Sequence, residues 1–407
     1  MNLEISNTKK HLSGNIKITG SKSESNRLLI LRALYPNLEI NNLSNSDDTH
    51  YLQKALKSED ELIDIHHAGT AMRFLTAYFA TVEGREVVLT GSKRMKERPV
   101  KLLVDALKTM GADISYENNE GYPPIRIKGR KLEAKTVSLE ANISSQYISA
   151  LMLTAPSLPN GLEINLEGTI TSTPYIKMTL ELLQRAGISG TFEGNTIKIE
   201  PAKQLKNLTL AVESDWSSAS YYYSLAAISE SAELKLSTYR ETSLQGDSCL
   251  AEIYKQFGVT TKFEHDYIIL EKLPGGKPKK IKENLQNAPD IAQTIAVTCL
   301  ALNVPCYLTG LHTLKIKETD RLEALKAEIE KFGSKVTVTQ DSLELFPEEE
   351  FLENVSVATY NDHRMAMAFA PLGLKVPFEI EDAGVVSKSY PGFWEDFQKL
   401  NFEIKKC

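Results

Sequence analysis

The stretch Gly20-Ser21-Lys22-Ser23-Glu24-Ser25-Asn26-Arg27 decides how the chain is read. A β-like run, Asn15-Ile16-Lys17-Ile18-Thr19, leads into it, and an apolar run, Leu28-Leu29-Ile30-Leu31-Arg32-Ala33-Leu34, follows. That order predicts a strand, a glycine turn and the first turn of a buried helix. A helix N-terminus exposes unpaired N–H groups and the positive end of the dipole. Serines there can cap or bind, and Lys22 and Arg27 add full charge. Two readings follow: an anion site for phosphate or carboxylate, or an ordinary serine-capped helix with surface lysines.

Outward from this stretch the chain repeats itself. An apolar helix, a short strand, a polar loop, an amphipathic helix and a hairpin recur about every 70 residues. The clearest copy starts at Cys306-Tyr307-Leu308-Thr309-Gly310. A helix from Asp320 to Phe332 follows, ended by Gly333, then a hairpin of residues 335–339 and 342–345. Val87 to Ile127, Leu162 to Ile199 and Ala232 to Leu270 repeat the order; Leu38 to Ser58 is a shortened copy and Phe378 to Cys407 a terminal one. The amphipathic helices are typified by Leu102, Leu103, Ala106 and Leu107 facing in, with Lys101, Asp105 and Lys108 facing out. The other helices, such as Ile148 to Ala155, are apolar nearly all round and must be buried on every side. Six of them exceed one core and divide naturally into two cores of three. Their starts are polar: Ser21-Lys22-Ser23, Ala68-Gly69-Thr70, Ser144-Ser145-Gln146, Ser214-Asp215-Trp216-Ser217-Ser218, Pro289-Asp290 and Asn361-Asp362-His363-Arg364. Six positive helix ends aimed at one cleft would trap a polyanion.

Composition narrows the class. The 407 residues are 42% apolar and 25% charged, as in globular proteins, and the net charge is −6 from 47 basic and 53 acidic residues. No run concentrates either sign, so neither nucleic acid nor a membrane surface is an expected partner. No apolar run nears the ~20 residues of a membrane span, and the N-terminus lacks a signal pattern. Cys249, Cys299, Cys306 and Cys407 show no disulfide or zinc spacing and read as thiols of a cytoplasmic protein. No metal or other cofactor is expected, and a monomer is.

Six motifs, in order, resemble the 5-enolpyruvylshikimate-3-phosphate synthase family. They are the opening stretch, Ala68-Gly69-Thr70-Ala71-Met72-Arg73, Arg94-Met95-Lys96-Glu97-Arg98-Pro99, Ser144-Ser145-Gln146, Lys317-Glu318-Thr319-Asp320-Arg321 and Asn361-Asp362-His363-Arg364-Met365-Ala366-Met367. The resemblance implies an α/β fold: a two-domain inside-out α/β barrel of six βαβαββ-like units with buried helices. It implies domains of residues 1–19 with 214–407 and of 20–213, with the active site in a cleft between them that substrate closes. It further implies transfer of enolpyruvyl from phosphoenolpyruvate to the 5-hydroxyl of shikimate 3-phosphate, with release of phosphate.

The resemblance also implies residue roles. Lys22, Ser23, Arg27, Ser144, Ser145, Ser172, Tyr175, Asp290 and Lys317 would hold shikimate 3-phosphate. Lys22, Gly69, Arg98, Gln146, Arg321, His363, Arg364 and Lys388 would hold phosphoenolpyruvate. Arginine's fork suits phosphate and carboxylate, while lysine acts as a point charge. Addition to phosphoenolpyruvate needs a carbon acid that can take its proton back, and a base for the hydroxyl. Glu318 would be the donor, with Asp290 or Lys22 the base; Asp320 would orient its neighbours or cap the next helix. The chain departs from the family pattern at His67, Phe74 and Thr313. Of the rivals, the sister enzyme acting on UDP-N-acetylglucosamine typically carries a cysteine in the loop matching Ser92 to Pro99, which has none here. A non-catalytic anion-binding scaffold is the other; Glu318, Asp290, Lys22 and the arginines are all present, so nothing is visibly lost.

Overall fold

The apolar runs form six buried helices: Lys22–Leu34, Gly69–Thr81, Ser145–Thr154, Trp216–Ile228, Ala292–Ala301 and His363–Phe369. Trp216–Ile228 and Ala292–Ala301 are buried at every position, as helices apolar on all sides must be. The computed structural model describes residues 1–140, 144–168, 170, 173–272 and 277–407. The chain divides into two units, Met1–Thr19 with Glu213–Cys407, and Gly20–Val212. Glu213 thus belongs to the discontinuous unit, one residue before the boundary read from the sequence. Its buried carboxylate accepts from Trp216 Nε1 at 2.8 Å, the Arg240 N–H at 2.9 Å and Ser243 Oγ at 2.7 Å.

Four of the six buried helices link two strands that pair parallel, while Lys22–Leu34 and Trp216–Ile228 exchange partners, His11–Ile16 pairing with Ser231–Ser237 and Leu38–Asn41 with Leu208–Ala211. Leu62–Asp64 pairs parallel with Glu86–Thr90, which pairs antiparallel with Ile125–Lys128, and that with Asp113–Tyr116. The helix Gly69–Thr81 links the parallel pair, and the amphipathic helix Lys101–Thr109 precedes the hairpin. Its Leu103, Val104, Ala106 and Leu107 are buried, while Lys101, Asp105 and Lys108 are exposed. Five described sheets have four strands and one has two, Leu38–Asn41 and Leu208–Ala211. The two-stranded sheet is the shortened copy. The terminal copy is completed by the other end of the chain: Leu3–Ser6 lies between Phe378–Ile380 and Glu403–Lys406. Most strands alternate buried with more exposed positions, as Thr136–Glu140 does, while Glu86–Thr90 is buried from Val87 to Thr90.

Within each unit the buried helices run parallel. Ser220 Oγ lies 2.9 Å from Thr294 Oγ1, and Thr298 Oγ1 bonds Ser224 Oγ at 2.8 Å. Both pairs keep one sequence offset, so Trp216–Ile228 and Ala292–Ala301 are aligned in register. In the Gly20–Val212 unit, Arg27 bonds Ser149 at 3.0 Å and Gln146 bonds Thr70 at 3.3 Å, linking the N-terminal halves of three helices. The N-termini of each trio therefore lie at one end.

Several local expectations are corrected. The first strand near the opening stretch is His11–Ile16, not residues 15–19. Gly20 is no left-handed turn; a Cβ there would fall 1.8 Å from the Asn42 carbonyl oxygen. The first turn of Lys22–Leu34 is not serine-capped, since Ser21 makes no capping bond. Ser25 accepts from the Ser44 N–H at 2.9 Å and Asn26 from Thr49 Oγ1 at 2.8 Å, tying the helix to the next segment. Ser144, Asp215 and Asp362 do cap their helices. The 320–332 helix is shorter, Arg321–Glu330 with Asp320 as its N-cap, and Gly333 takes φ +95° beyond it.

Candidate active site

In the discontinuous unit one arginine gathers the acidic residues. Arg321, the first residue of its helix, is 2% exposed. Its Nε donates to Asp362 Oδ2 at 2.6 Å, Nη1 to Asp290 Oδ1 at 2.9 Å and Nη2 to Glu318 Oε2 at 2.9 Å. Burial alone would lower its pKa, but Asp362, Glu318 and Asp290 together hold it above its ordinary value. Asp290 also lies 3.6 Å from Lys317 Nζ and 3.4 Å from Arg364 Nη2. The position of Asp290 follows from Pro289, which opens a single 3₁₀ turn in front of Ala292–Ala301.

Arg364 extends the cluster. It bonds the Asp290 carbonyl oxygen at 3.3 Å and Ser217 Oγ at 3.2 Å, so the first turns of three buried helices meet at one guanidinium. Burial lowers its pKa and Asp290, the leading opposing charge, raises it well above normal. Behind Ser217 lies Asp247, bonded to that hydroxyl at 2.5 Å. Burial, and then the charge of Asp290, push the Asp247 carboxyl up to about 7. Lys388 Nζ donates to the Asn361 carbonyl at 2.6 Å, beside the cap Asp362. His363 is buried at the start of its helix, and Asp320 accepts from Lys315 as well as capping.

The Gly20–Val212 unit gathers a second set with different electrostatics. Arg27, 2% exposed, bonds the Thr179 hydroxyl at 2.7 Å, the Ser23 carbonyl at 2.8 Å and the Ser149 hydroxyl. Its guanidinium carbon lies 5.5 Å from the Phe74 ring centre and 5.7 Å from that of Tyr175. Burial pushes its pKa down to about 10 against the pull of Tyr175 and Glu24. Lys22 Nζ stands 3.6 Å from Asp48. Gly69 has no room for a side chain, since a Cβ would meet Arg98 Nη1 at 2.3 Å. Arg98 thus lies against the start of Gly69–Thr81, and Gln146 reaches Thr70 in the same turn. Ser145 is half-buried next to the cap Ser144. Ser172 lies outside the described residues.

Four residues that the sequence left without a role stand out. Asp362 and Arg73 sit inside quoted motifs, where their charge was the available signal. Arg73 donates to the Gly69 carbonyl at 3.1 Å and the Pro99 carbonyl at 3.0 Å, anchoring the loop that carries Arg98. Asp247 and Asp48 carried no signal beyond their residue type. Of the departures, Phe74 packs under Arg27. His67 lies 3.8 Å from Asp47 beside the Tyr51 ring. Thr313 buries a hydroxyl with no hydrogen-bond partner among the described residues.

Comparison with known proteins places this geometry. The family described as EPSP synthase (3-phosphoshikimate 1-carboxyvinyltransferase) matches residues 52–397. The chain belongs to the EPSP synthase family. It is 45% identical to a Bacteroides fragilis 3-phosphoshikimate 1-carboxyvinyltransferase, with 97% of each chain covered. It is 35% identical to the Actinobacillus pleuropneumoniae protein of that name, over 96% of this chain and 97% of the relative. Among solved structures, an Acinetobacter baumannii EPSP synthase matches at TM-score 0.82 and 22% identity, with both chains fully covered. The Streptomyces tendae enolpyruvyl transferase NikO matches at TM-score 0.74 and 13% identity, over 99% and 98% of the two chains. These two structures share the fold with this member of the EPSP synthase family, and with it the mixed α/β units described above.

Proposed function

We propose that this chain is a 3-phosphoshikimate 1-carboxyvinyltransferase, which moves the enolpyruvyl group of phosphoenolpyruvate to the 5-hydroxyl of shikimate 3-phosphate. The supporting observation is the Arg321 knot. It holds two carboxylates, Asp290 and Glu318, beside two further cations, Lys317 and Arg364, in a chain of this family. Both substrates carry a phosphate and a carboxylate, so cations beside acid–base groups are what the chemistry needs.

In this reading a proton passes from Glu318 to the methylene carbon of phosphoenolpyruvate while the 5-oxygen bonds the adjacent carbon. The hydroxyl proton goes to Asp290 or Lys22. A tetrahedral ketal phosphate results. Its C–O bond to phosphate then breaks, and a methyl proton returns to Glu318 as the double bond re-forms. Arg321 is buried among carboxylates, so its part is to fix Glu318 and Asp290. Lys22, Gly69, Arg98, Gln146, His363, Arg364 and Lys388 are left to bind phosphoenolpyruvate, and Lys22, Ser23, Arg27, Ser144, Ser145, Ser172, Tyr175, Asp290 and Lys317 to bind the acceptor.

The test is phosphate release from phosphoenolpyruvate with shikimate 3-phosphate as acceptor, beside Glu318→Gln and a parallel reaction with UDP-N-acetylglucosamine. Release with shikimate 3-phosphate, falling by roughly 10²–10⁴-fold in Glu318→Gln, is expected. Release with the sugar nucleotide alone would move the chain to the sister activity. Anion binding without release from either acceptor would leave a scaffold.

A further inference from the structure

Two adjacent residues in front of the Arg364 helix hold a costly backbone conformation. Tyr360 has φ +52° and Asn361 φ +57°, and neither is glycine. The left-handed region costs an L-residue roughly 1–2 kcal/mol, least for asparagine and more for a bulky side chain. Tyr360 is also 41% exposed, so its ring does not pack the turn into place. Such a turn persists only where its surroundings over-determine it.

The surroundings are one helix. Arg321–Glu330 grips the turn at two places two helical turns apart, roughly 10 Å along its axis. At its first residue Arg321 holds Asp362. Seven residues on, on the same face, Glu328 is fully buried and faces residues 358–360. Its Oε1 accepts from the Tyr360 hydroxyl at 2.6 Å and its Oε2 from the Ala358 N–H at 3.0 Å. Lys331 Nζ, one turn further along, completes the carboxylate's partners at 2.6 Å. A charged acceptor buried with three donors is a strong anchor.

What the turn does is visible at its far end. The Asn361 carbonyl accepts from Lys388, and the Asp362 N–H donates to the Thr359 carbonyl at 2.8 Å. Asp362 then caps the Arg364 N–H at 2.9 Å. The turn thus holds the Lys388 ammonium and the backbone N–H of Arg364, whose guanidinium reaches on to Asp290 and Ser217. Neither Lys388 nor Arg364 touches Glu328.

We propose that Glu328 is a positioning residue that latches the 358–362 turn and thereby places Arg364 and Lys388 for the anionic donor substrate. The substrate assignment rests on the function proposed above; the latch itself does not. Glu328→Gln removes the negative charge that its three donors share and loosens the turn. Amide exchange at Asp362 and Arg364 should quicken in the free protein. KM for phosphoenolpyruvate should rise about tenfold, with KM for shikimate 3-phosphate within about twofold. Adding Asn361→Gly, which takes φ > 0 without strain, should recover most of that loss. Tyr360→Phe keeps the buried carboxylate paired and is the gentler probe, with about a two- to threefold rise in the same KM.

A purely stabilising role predicts otherwise: a lower melting temperature, both KM values unmoved, and no rescue by glycine. That result would overturn the proposal, as would unchanged exchange at Asp362 and Arg364 in Glu328→Gln. If the unaltered chain fails to turn over the substrate pair, the functional reading falls, and the exchange measurement still decides the latch.

Discussion

Each unit sets two arginines wholly or largely out of water, Arg364 being the half-buried one, and the two pairs are in opposite electrostatic states. Arg27 and Arg73 of the Gly20–Val212 unit bond hydroxyls and backbone carbonyls, and burial pushes both down to about 10. Arg321 and Arg364 of the discontinuous unit face Asp290, Glu318, Asp362 and Asp247, and both are raised. One unit keeps desolvated positive charge whose partners are neutral; the other neutralises it in advance. Uncompensated charge in a low-dielectric setting acts strongly on an incoming anion. Compensated charge spends its strength on holding carboxylates in place. A basic motif residue therefore has two uses, and the partner decides which.

The largest effect should come from breaking the compensated side. Arg321→Met leaves Asp290, Glu318 and Asp362 facing one another and should cost about 3–5 kcal/mol in denaturant unfolding. Arg27→Met removes a charge held by neutral groups and should cost less than about 2 kcal/mol, yet raise KM for shikimate 3-phosphate well beyond any change in stability. Equal losses of stability in the two variants would end the contrast.

Gly69→Ala sharpens it at smaller scale. The new methyl must displace the Arg98 guanidinium, the flexible end of a side chain. Folding should be kept within about 1 kcal/mol, since a surface-level shift absorbs the clash. KM for phosphoenolpyruvate should rise severalfold, because Arg98 is among the cations proposed to bind that substrate.

The last effect is a slope with pH rather than a loss at one pH. Asp247, pushed up to about 7 in the fold, has an ordinary carboxyl value near 3.8 when unfolded. Below that lower value it is protonated in both states and costs nothing. As pH rises towards 7, the unfolded chain releases the proton first, so stability falls. Asp247→Asn should flatten that decline by up to about 1.4 kcal/mol per pH unit between roughly pH 4 and 7. Unfolding curves at pH 5 and pH 8 check it, and an unchanged slope would place Asp247 outside the balance around Arg364.

By itself the sequence determined what is local and repetitive. Burial on all sides leaves a continuous apolar run and burial on one side a period, so six buried helices, their amphipathic companions and the hairpin of 335–338 with 343–346 were legible. The polar helix starts were legible too, because caps and charges there break an apolar run. The parallel strand ahead of each buried helix was harder, since Ser356–Val357 and Leu62–Asp64 are too short to show a period.

Tertiary structure alone decided the partners. Nothing near Leu3–Ser6 says that it will lie between Phe378–Ile380 and Glu403–Lys406. Gly20 looked like a turn residue, whereas the Asn42 carbonyl at its Cβ position is the reason for it. Arg27 and Arg321 carry the same side chain in motifs of similar look. Only the packing of distant segments put hydroxyls and a carbonyl around one, and three carboxylates, two of them 31 and 41 residues away, around the other. Charge interactions depend on separation and burial, neither of which leaves a period in the sequence, and so their outcome waits for the fold.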